Sequence, residues 1–473
     1  MMKRVKRKMN FQPKKLVKIN MRNIFLLFIS IFIIPVTAQE VLKLEDVIKL
    51  AIESNFDVLI AKNNTEIAKN NNNIGLVGGG QSTGGTVSGG STGMLPQISI
   101  SAGSPNTPLG VGQTISTLKY SNPASNITNQ KLTSTNYAPS IIGTWYFFDG
   151  LKMFATKKKL NRNEELSNLQ YRLVIENTLL NALTAYYQMI SIQQYIKSLR
   201  ESLVLGDAQK KLAEQKLKAG TGSNVDVLQT QIDYNNIKVT IIQQQNLLND
   251  QRVNLNNILK RQPDVDFGVP DTIITQTKPD YANALTNIEK GNNSVLISSK
   301  NIQISELGLK EYKGNRFPKI GVTGNYTFQR TTNDIGFSRL NQNYGYNAGF
   351  IFSWTLLNNL TTNTAIKNQM VQIRNDKLNF DASMLREKSN LYKAYLSFEN
   401  NLSIVEIEQQ SVVMAKQNLT IAAERFRLGL SNYIEYRTVE QSFEDASFRL
   451  TQAAFNTKIS ELNYLKAQGL LVH

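Results

Sequence analysis

Few side chains in this sequence could carry covalent chemistry. It has no cysteine and a single histidine, His473. This composition excludes a thiolate nucleophile, a disulfide scaffold, a lipoprotein anchor, most zinc sites and any Ser-His-Asp arrangement with an internal histidine. No metalloprotease, P-loop, nucleophile-elbow or paired-cysteine motif occurs, and no local motif singles out a carboxylate pair. We therefore predict that the protein is not an enzyme and uses no cofactor or metal.

The first 38 residues have the composition of an export signal. They hold nine basic and no acidic side chains, and the apolar run 24–36 is followed by small residues before Gln39. This order is typical of a cleavable signal peptide, for which Met21 is an alternative start. The other interpretation is a membrane anchor, but this 13-residue run would span only about 20 Å of a bilayer core about 30 Å thick.

Much of the positive charge belongs to this leader. The formal net charge is +17, and removing residues 1–38 leaves 44 basic and 36 acidic side chains, a charge near +8. Nucleic acid binding loses most of its support, because a removed leader binds nothing later. No other apolar stretch is long enough for a transmembrane helix, so a mature chain that enters a membrane is expected to do so as a closed β-barrel.

The remaining sequence consists of two copies of one unit. Trp145 and Trp354 lie in similar segments 209 residues apart, and the segments around Gly220 and Gly429 repeat that offset. Matches further upstream have offsets of 222 and 237 residues, which indicates two insertions in the first copy. A duplication of this size determines the whole fold. The predicted segments are a signal peptide (1–38), a first repeat (39–270) and a second repeat (271–473).

Two segments of each copy alternate between apolar and polar residues. They begin near Ile98 and Ile141 in the first copy and near Ile320 and Phe350 in the second. Such alternation, with aromatic residues near one end, fits strands of a membrane β-barrel, although strands of a soluble sandwich alternate equally well. Four strands per chain cannot close a barrel alone, so the barrel interpretation requires an oligomer.

Long helices are predicted for most of the chain. From Gly150 to Lys218 apolar residues recur in steps of three and four with Glu176 as the one polar position, which is a heptad seam. A helix of this length would measure about 100 Å. The apolar seam positions are Leu166, Leu169, Leu173, Leu180, Leu183, Tyr187 and Ile190.

Shorter helices complete each copy. One returns from the turn at Gly220, and the second copy repeats the long helix and the returning one around Gly429. The returning helix has about half the length of the long one. The first helix of each copy, about 44–74 and 282–312, supplies the other half. Stacked end to end, the short helices make a second full-length rod, so the chain is predicted to form four rods.

Both insertions are predicted to be loops. The first, 75–93, contains nine glycines, and we interpret it as a flexible linker because the Gly-Lys-Ser/Thr of a phosphate-binding loop is absent. The second, from Gly103 to about Ala138, would lie between paired strands as an exposed outer loop.

This order of elements resembles the TolC family of outer-membrane efflux proteins. The resemblance rests on the opening segment 42–68, the strand entries at Pro96 and Pro318, and the tip segments 216–231 and 425–441. It implies a mixed fold in which an α-helical coiled-coil tunnel joins a membrane β-barrel. It also implies a homotrimer, each chain contributing two structural repeats and four strands.

The resemblance also implies location and partners. The channel would lie in the lipid of the outer membrane of a Gram-negative bacterium, with its tunnel in the periplasm. It would act with a periplasmic adaptor (membrane fusion) protein and a proton-driven or ATP-driven inner-membrane transporter, and not with nucleic acid. The implied function is efflux of small molecules such as drugs or metals. Type I protein secretion is an alternative, and a secreted periplasmic coiled-coil scaffold is an alternative of another class.

The resemblance places a periplasmic gate at the helical tip. Asp226 and Glu435 match acidic family positions six residues past the tip glycine. A basic gate partner of some family members falls at Ser431, and a second acidic layer falls at Thr438, so the pattern is only partly kept. The alternative role of both acids is to stabilise the first turn of a helix through its dipole. The expected gate and tip residues are Asp226, Glu435, Gly220, Gly429, Leu430 and Ser431.

Four aromatic residues near the strand ends are expected at the membrane interface, with a place in a core as the alternative. These residues are Trp145, Phe147, Phe352 and Trp354.

Overall fold

The computed structural model describes residues 41–74, 94–101, 114–117, 131–274, 279–333 and 338–471. The predicted signal peptide (1–38), the start at Met21, the glycine-rich insertion (75–93) and His473 lie outside these residues. Parts of the second insertion also lie outside them.

The described residues form eight helices and six strands. The helices are α1 (Leu44–Ser54), α2 (Phe56–Ile74), α3 (Lys152–Lys218), α4 (Asn224–Ile258), α5 (Tyr281–Gly291), α6 (Asn293–Gly314), α7 (Thr361–Arg427) and α8 (Tyr433–Gln468). The strands are β1 (Gln97–Ser101), β2 (Thr114–Thr117), β3 (Lys131–Tyr137), β4 (Ser140–Phe148), β5 (Lys319–Asn333) and β6 (Leu340–Ser353). Among these helices, none combines the length and apolar character needed to cross a membrane.

The two predicted long helices are confirmed. α3 and α7 each contain 67 residues, which corresponds to a length of about 100 Å. α3 packs along α2 and α4, and α7 packs along α6 and α8. α3 also contacts α6 and α8, which joins the two pairs of rods. The four rods therefore lie side by side in this order: α2 together with α4 forms the first rod, and α3 is the second. The third rod is α6 together with α8, and the fourth is α7.

The prediction of one continuous first helix in each copy is wrong. The chain breaks between α1 and α2 at Asn55 and between α5 and α6 at Asn292, and both residues have extended backbone conformations. Their side-chain oxygens accept hydrogen bonds from N–H groups of the following helix, as N-cap residues do. The apolar pattern continues across each break, which is why periodicity alone predicts one helix.

The prediction of four strands per chain is also wrong as a count, because six strands occur among the described residues. β2 and β3 fall in the second insertion, where only a loop was expected. β3 and β4 pair with successive parts of the same edge of β5, and Pro139, which has no N–H to donate, lies between them. β1 pairs with β4, β2 with β3, and β6 with the other edge of β5. The six strands therefore occupy four positions across one antiparallel sheet.

The predicted heptad seam of α3 contributes to the largest apolar core. Leu183, Tyr187 and Ile190 are buried there among residues of α1, α4 and α8. Glu176, the polar position of the seam, is 3% exposed and accepts a hydrogen bond from Asn293 Nδ2 at 2.9 Å. Burial raises the pKa of this carboxyl above its ordinary value. At the Glu176 position of the seam, the two halves of the chain are therefore joined by a hydrogen bond instead of an apolar contact.

Candidate functional site

Two helical turns form the end of the rods that is remote from the sheet. Gly220 follows α3 with φ +72°, and Gly429 follows α7 with φ +76°, a conformation that glycine adopts readily. The N–H of Gly220 donates to Leu217 O at 3.0 Å, and that of Gly429 donates to Phe426 O at 3.1 Å. Both long helices thus end in left-handed caps, and the two turns have matching geometry.

The returning helices start on side-chain caps. Ser223 Oγ accepts a hydrogen bond from Val225 N at 3.1 Å, and Asn432 Oδ1 accepts one from Glu435 N at 2.8 Å. These caps are 209 residues apart, like the tip glycines. Because serine and asparagine already cap the helices, neither Asp226 nor Glu435 occupies the cap position.

The two predicted gate acids differ in their surroundings. Both lie in the first turn of a helix, which favours a negative charge. Glu435 is exposed and pairs with Arg425 Nη2 at 3.3 Å, whereas Asp226 is half-buried and has no ion pair within the described part of the chain. An ion pair this exposed is typically worth at most about 1 kcal/mol. Among the described residues, only Glu435 therefore has a charged partner in its own chain.

The other expected tip residues form no ionic layer. Leu430 is 68% exposed. Ser431 is half-buried, and its Oγ has no hydrogen-bond partner among the described residues. Thr438 donates to Ile434 O of its own helix at 2.9 Å. Ser431 and Thr438 thus lack the basic and acidic groups that some family members have at these positions, as the sequence analysis stated.

A buried charged cluster above the tip was missed by the sequence analysis. Arg437 of α8 lies within reach of three carboxylates: its Nη1 is 2.9 Å from Glu440 Oε2 and 3.5 Å from Glu444 Oε2, and its Nε is 3.7 Å from Asp233 Oδ1 of α4. Tyr433 also donates to Asp233 Oδ2 at 2.9 Å. The cluster thereby links α4 to α8, one helix from each half of the chain.

Burial is the largest influence on the pKa values of Glu440, Glu444 and Arg437. It raises the pKa of Glu440 to about 6, and it also raises the pKa of Glu444 above its ordinary value. Burial alone would lower the pKa of Arg437, but Glu444, Glu440 and Asp233 raise it above its usual range. Three acids around one guanidinium leave excess negative charge, which a proton on Glu440 reduces.

Repetition in the sequence could not reveal this cluster. The residues 209 positions before Arg437, Glu440 and Glu444 are Leu228, Gln231 and Asn235, so the first copy has no equivalent charges. One signal was available: Arg437, Glu440 and Glu444 follow a spacing of three and four, which places them on one face of a helix.

A second contact joins the two tips directly. Lys216 of α3 donates through Nζ to Phe426 O near the end of α7, at 2.5 Å, and its ammonium lies 4.2 Å from the centre of the Phe426 ring. A cation near a helix C-terminus interacts favourably with the helix dipole. The tip of the first half of the chain is thus anchored to the tip of the second.

The two tryptophans lie at the other end of the rods. Trp145 Nε1 donates to Met94 O, and Trp354 Nε1 donates to Arg316 O, both at 3.1 Å. Trp145 is 39% exposed and Trp354 is 52% exposed in the single chain. Phe147 and Phe352 are also exposed, and Trp354 lies one residue beyond the end of β6.

No group of acidic or histidine side chains suited to a metal ion occurs among the described residues.

Residues 90–260 match the family described as outer membrane efflux protein. This match confirms the resemblance inferred from the sequence, and the matched family consists of transport proteins rather than enzymes. No curated protein matches the chain significantly in sequence.

Solved structures of outer-membrane proteins share the fold. The outer membrane protein VceC from Vibrio cholerae is 13% identical, with a TM-score of 0.70 over 90% of this chain and 96% of its own. The CmeC outer membrane channel of Campylobacter jejuni is 14% identical, with a TM-score of 0.72 over 90% of this chain and 86% of its own. The MtrE outer membrane channel of Neisseria gonorrhoeae is 12% identical, with a TM-score of 0.65 over 90% and 89%.

Proposed function

We propose that the chain is one of three identical subunits of an outer-membrane conduit for efflux of small molecules. In this proposal the sheets of the three copies close into one barrel and the rods form a periplasmic tunnel. A periplasmic adaptor and an inner-membrane transporter supply the cargo and the energy. The observation that supports it most directly is that, among the described residues, the set of rods and the sheet each have two open edges.

One edge rod, α2 with α4, has an unpartnered apolar seam. Six residues of α4 repeat in heptad steps and are between 46% and 71% exposed. A single chain would leave this seam in water, which soluble surfaces rarely do over such a length. The residues are Val225, Leu228, Ile232, Val239, Ile242 and Val253.

The other edge rod, α7, has a matching seam. Ile404, Ile407, Met414 and Ile421 are between 44% and 62% exposed and also follow heptad steps. α4 and α7 lie at opposite edges of the set of rods, so each seam can meet the other only in a neighbouring copy. Two different faces that bind each other give a head-to-tail contact, which makes a closed ring when the rotation closes.

The sheet supports the same arrangement. Within the described residues, β1 and β2 pair along one edge only, and β6 pairs only with β5. Open edges with unpaired N–H and C=O groups cannot remain exposed in a bilayer. If β6 of one copy pairs with β1 and β2 of the next, the unpaired N–H and C=O groups of both edges gain partners. The same rotation between copies brings α7 against α4.

Cysteine cross-linking tests this arrangement, since the chain has no cysteine of its own. Ile232 lies eight residues after the start of α4 and Ile421 six residues before the end of α7, so both are about 10 Å from the tip. We expect the double variant Ile232→Cys with Ile421→Cys to form covalent trimers when the purified full chain is oxidised in detergent.

The single variants are the matched controls. In a head-to-tail ring, equivalent positions do not meet, so Ile232→Cys alone and Ile421→Cys alone should remain monomeric on a denaturing gel. Covalent dimers from a single variant would indicate a two-fold dimer. Monomers from the double variant would contradict the ring.

A further inference from the structure

Both long helices begin at a leucine in an unfavourable backbone conformation. Leu151 precedes α3 with φ +65°, and Leu360 precedes α7 with φ +61°, 209 residues later. Glycine and asparagine adopt this conformation far more readily than a branched apolar residue does. The same disfavoured choice at both positions indicates that the leucine side chain has a function there.

These leucines belong to an exposed apolar collar between the sheet and the rods. Leu151 is 61% exposed and Leu360 is 67% exposed. Four other large apolar residues of the same region are between 50% and 92% exposed. They are Phe154, Phe317, Leu356 and Leu357. Water is a poor environment for such a group, so the collar requires an apolar partner.

Five basic residues accompany the collar. None of them forms an ion pair within the described part of the chain. They are Lys152, Lys158, Lys313, Arg316 and Lys367. Two carboxylates of the same region make no ion pair with these basic residues. Asp149 is buried, with Oδ1 accepting a hydrogen bond from Met153 N at 3.1 Å and Oδ2 having no partner among the described residues, and Glu311 pairs with Lys159 at 2.9 Å.

The basic residues come together because the end of α6 lies against the starts of α3 and α7. A β-carbon at Gly314 would be only 3.1 Å from Gly150 O and 3.2 Å from the β-carbon of Lys152. Arg316 Nη2 donates to Asn363 Oδ1 of α7 at 2.8 Å. Apolar and cationic side chains are therefore concentrated at one level of the molecule.

We propose that this collar binds the anionic phospholipid surface on the side of the membrane that faces the rods. The leucines insert among the acyl chains, and the lysine and arginine head groups contact lipid phosphates. The inference rests on the proposed function, because that function puts the sheet in a bilayer. Long basic side chains can keep their stems in the apolar zone and their charges at the phosphates, and anionic lipid attracts such clusters.

Vesicle binding by the purified full chain tests the charged part of the collar. Vesicles of phosphatidylcholine are compared with vesicles that also contain phosphatidylglycerol. We expect the wild type to prefer the anionic vesicles, and Lys152→Gln, Lys158→Gln and Lys313→Gln together to reduce that preference by at least about tenfold. Lys49→Gln, Lys290→Gln and Lys416→Gln remove the same charge from exposed sites outside the collar and should retain it.

The leucines are tested by Leu151→Asn with Leu360→Asn, since asparagine tolerates the conformation. We expect a higher melting temperature in detergent together with weaker insertion into both kinds of vesicle. A purely structural role of the leucines would instead lower the melting temperature and leave insertion unchanged.

The outcomes separate this inference from the proposed function. Wild-type protein that inserts equally into both kinds of vesicle, or a collar variant that behaves like the control variant, contradicts the lipid inference while the conduit still stands. Wild-type protein that inserts into neither contradicts both.

Discussion

The side-chain amide of Asn55 donates a hydrogen bond to the main-chain oxygen of Ile258, 2.8 Å away. The same side chain caps the start of α2, so it joins the end of α4 to the start of α2. Asn292 makes the equivalent bond to Ala467 O at 3.1 Å and caps α6. Each asparagine thus connects two short helices into one rod that runs beside a continuous helix of about 100 Å.

The first prediction concerns this junction. Asn292→Ala removes the cap of α6 and leaves the buried carbonyl of Ala467 without that donor, so we expect a loss of about 1–3 kcal/mol in unfolding free energy. Asn292→Ser keeps a neutral side-chain oxygen for the cap but loses the amide donor to Ala467 O, and should cost less than Ala. Thermal unfolding in detergent measures both, with the exposed Asn236→Ala as control. A loss no larger than that of the control would show that the junction does not stabilise the rod.

The second prediction concerns the buried cluster. Arg437→Met leaves Asp233, Glu440 and Glu444 without their shared cation, and uncompensated buried charges typically cost about 3–5 kcal/mol. We expect faster hydrogen exchange in α4 and α8 near the tip, with the sheet unaffected. Arg427→Gln breaks an exposed ion pair with Glu424 and should change exchange little. Equal exchange in the two variants would contradict a role of the cluster in joining α4 to α8.

The third prediction concerns pH. Burial raises the pKa of Glu440 to about 6, so the folded cluster binds a proton more tightly than the unfolded chain does. The folded state is therefore penalised above pH 6 and gains stability as the pH falls through about 6 toward the ordinary value near 4.5. Glu444, whose pKa is also raised, acts in the same direction.

We expect the wild-type melting temperature to rise between pH 7.5 and 5.5, and Glu440→Gln to reduce that rise. Glu424→Gln, at an exposed position, should preserve that rise. A wild-type melting temperature that falls over this interval would contradict the assigned direction.

The sequence predicted the rods better than the junctions and the sheet. Heptad spacing marks the long helices because a continuous helix needs a continuous apolar seam, and α3 and α7 end within two residues of the expected limits. The breaks at Asn55 and Asn292 are set by hydrogen bonds to residues about 200 and 175 positions away, which no local pattern contains. β2 and β3 were missed because polar strands in a segment rich in threonine, serine and asparagine resemble loop sequence.

The candidate site was predicted in part. The tip glycines could be predicted from local sequence, because the left-handed conformation that often follows the end of a helix favours glycine. The Arg437 cluster depends on Asp233 of another helix, so its charge balance appears only when α4 and α8 are packed together. The internal repeat singles out positions that are similar in both copies, whereas Arg437, Glu440 and Glu444 have no charged equivalents in the first copy.

The fourth prediction concerns the tip acids. If Asp226 and Glu435 line the mouth of a conduit, their carboxylates favour cations there. We expect Asp226→Asn with Glu435→Gln to lower the cation-to-anion permeability ratio in planar bilayers. Asp250→Asn with Glu289→Gln removes two exposed charges far from the tip and should leave the ratio unchanged. An unchanged ratio in the tip variant would assign both acids to stabilising the first turns of their helices.

The most direct test of the conduit is the conductance of cross-linked trimers. Purified Ile232→Cys, Ile421→Cys protein, oxidised and isolated as covalent trimers, is added to a planar lipid bilayer. We expect discrete, long-lived conductance steps once a reductant has opened the disulfides that hold neighbouring copies together near the tip, and larger steps when Arg437→Met loosens the tip. Trimers that float with lipid vesicles but produce no conductance step after reduction, with or without Arg437→Met, would contradict the proposed conduit.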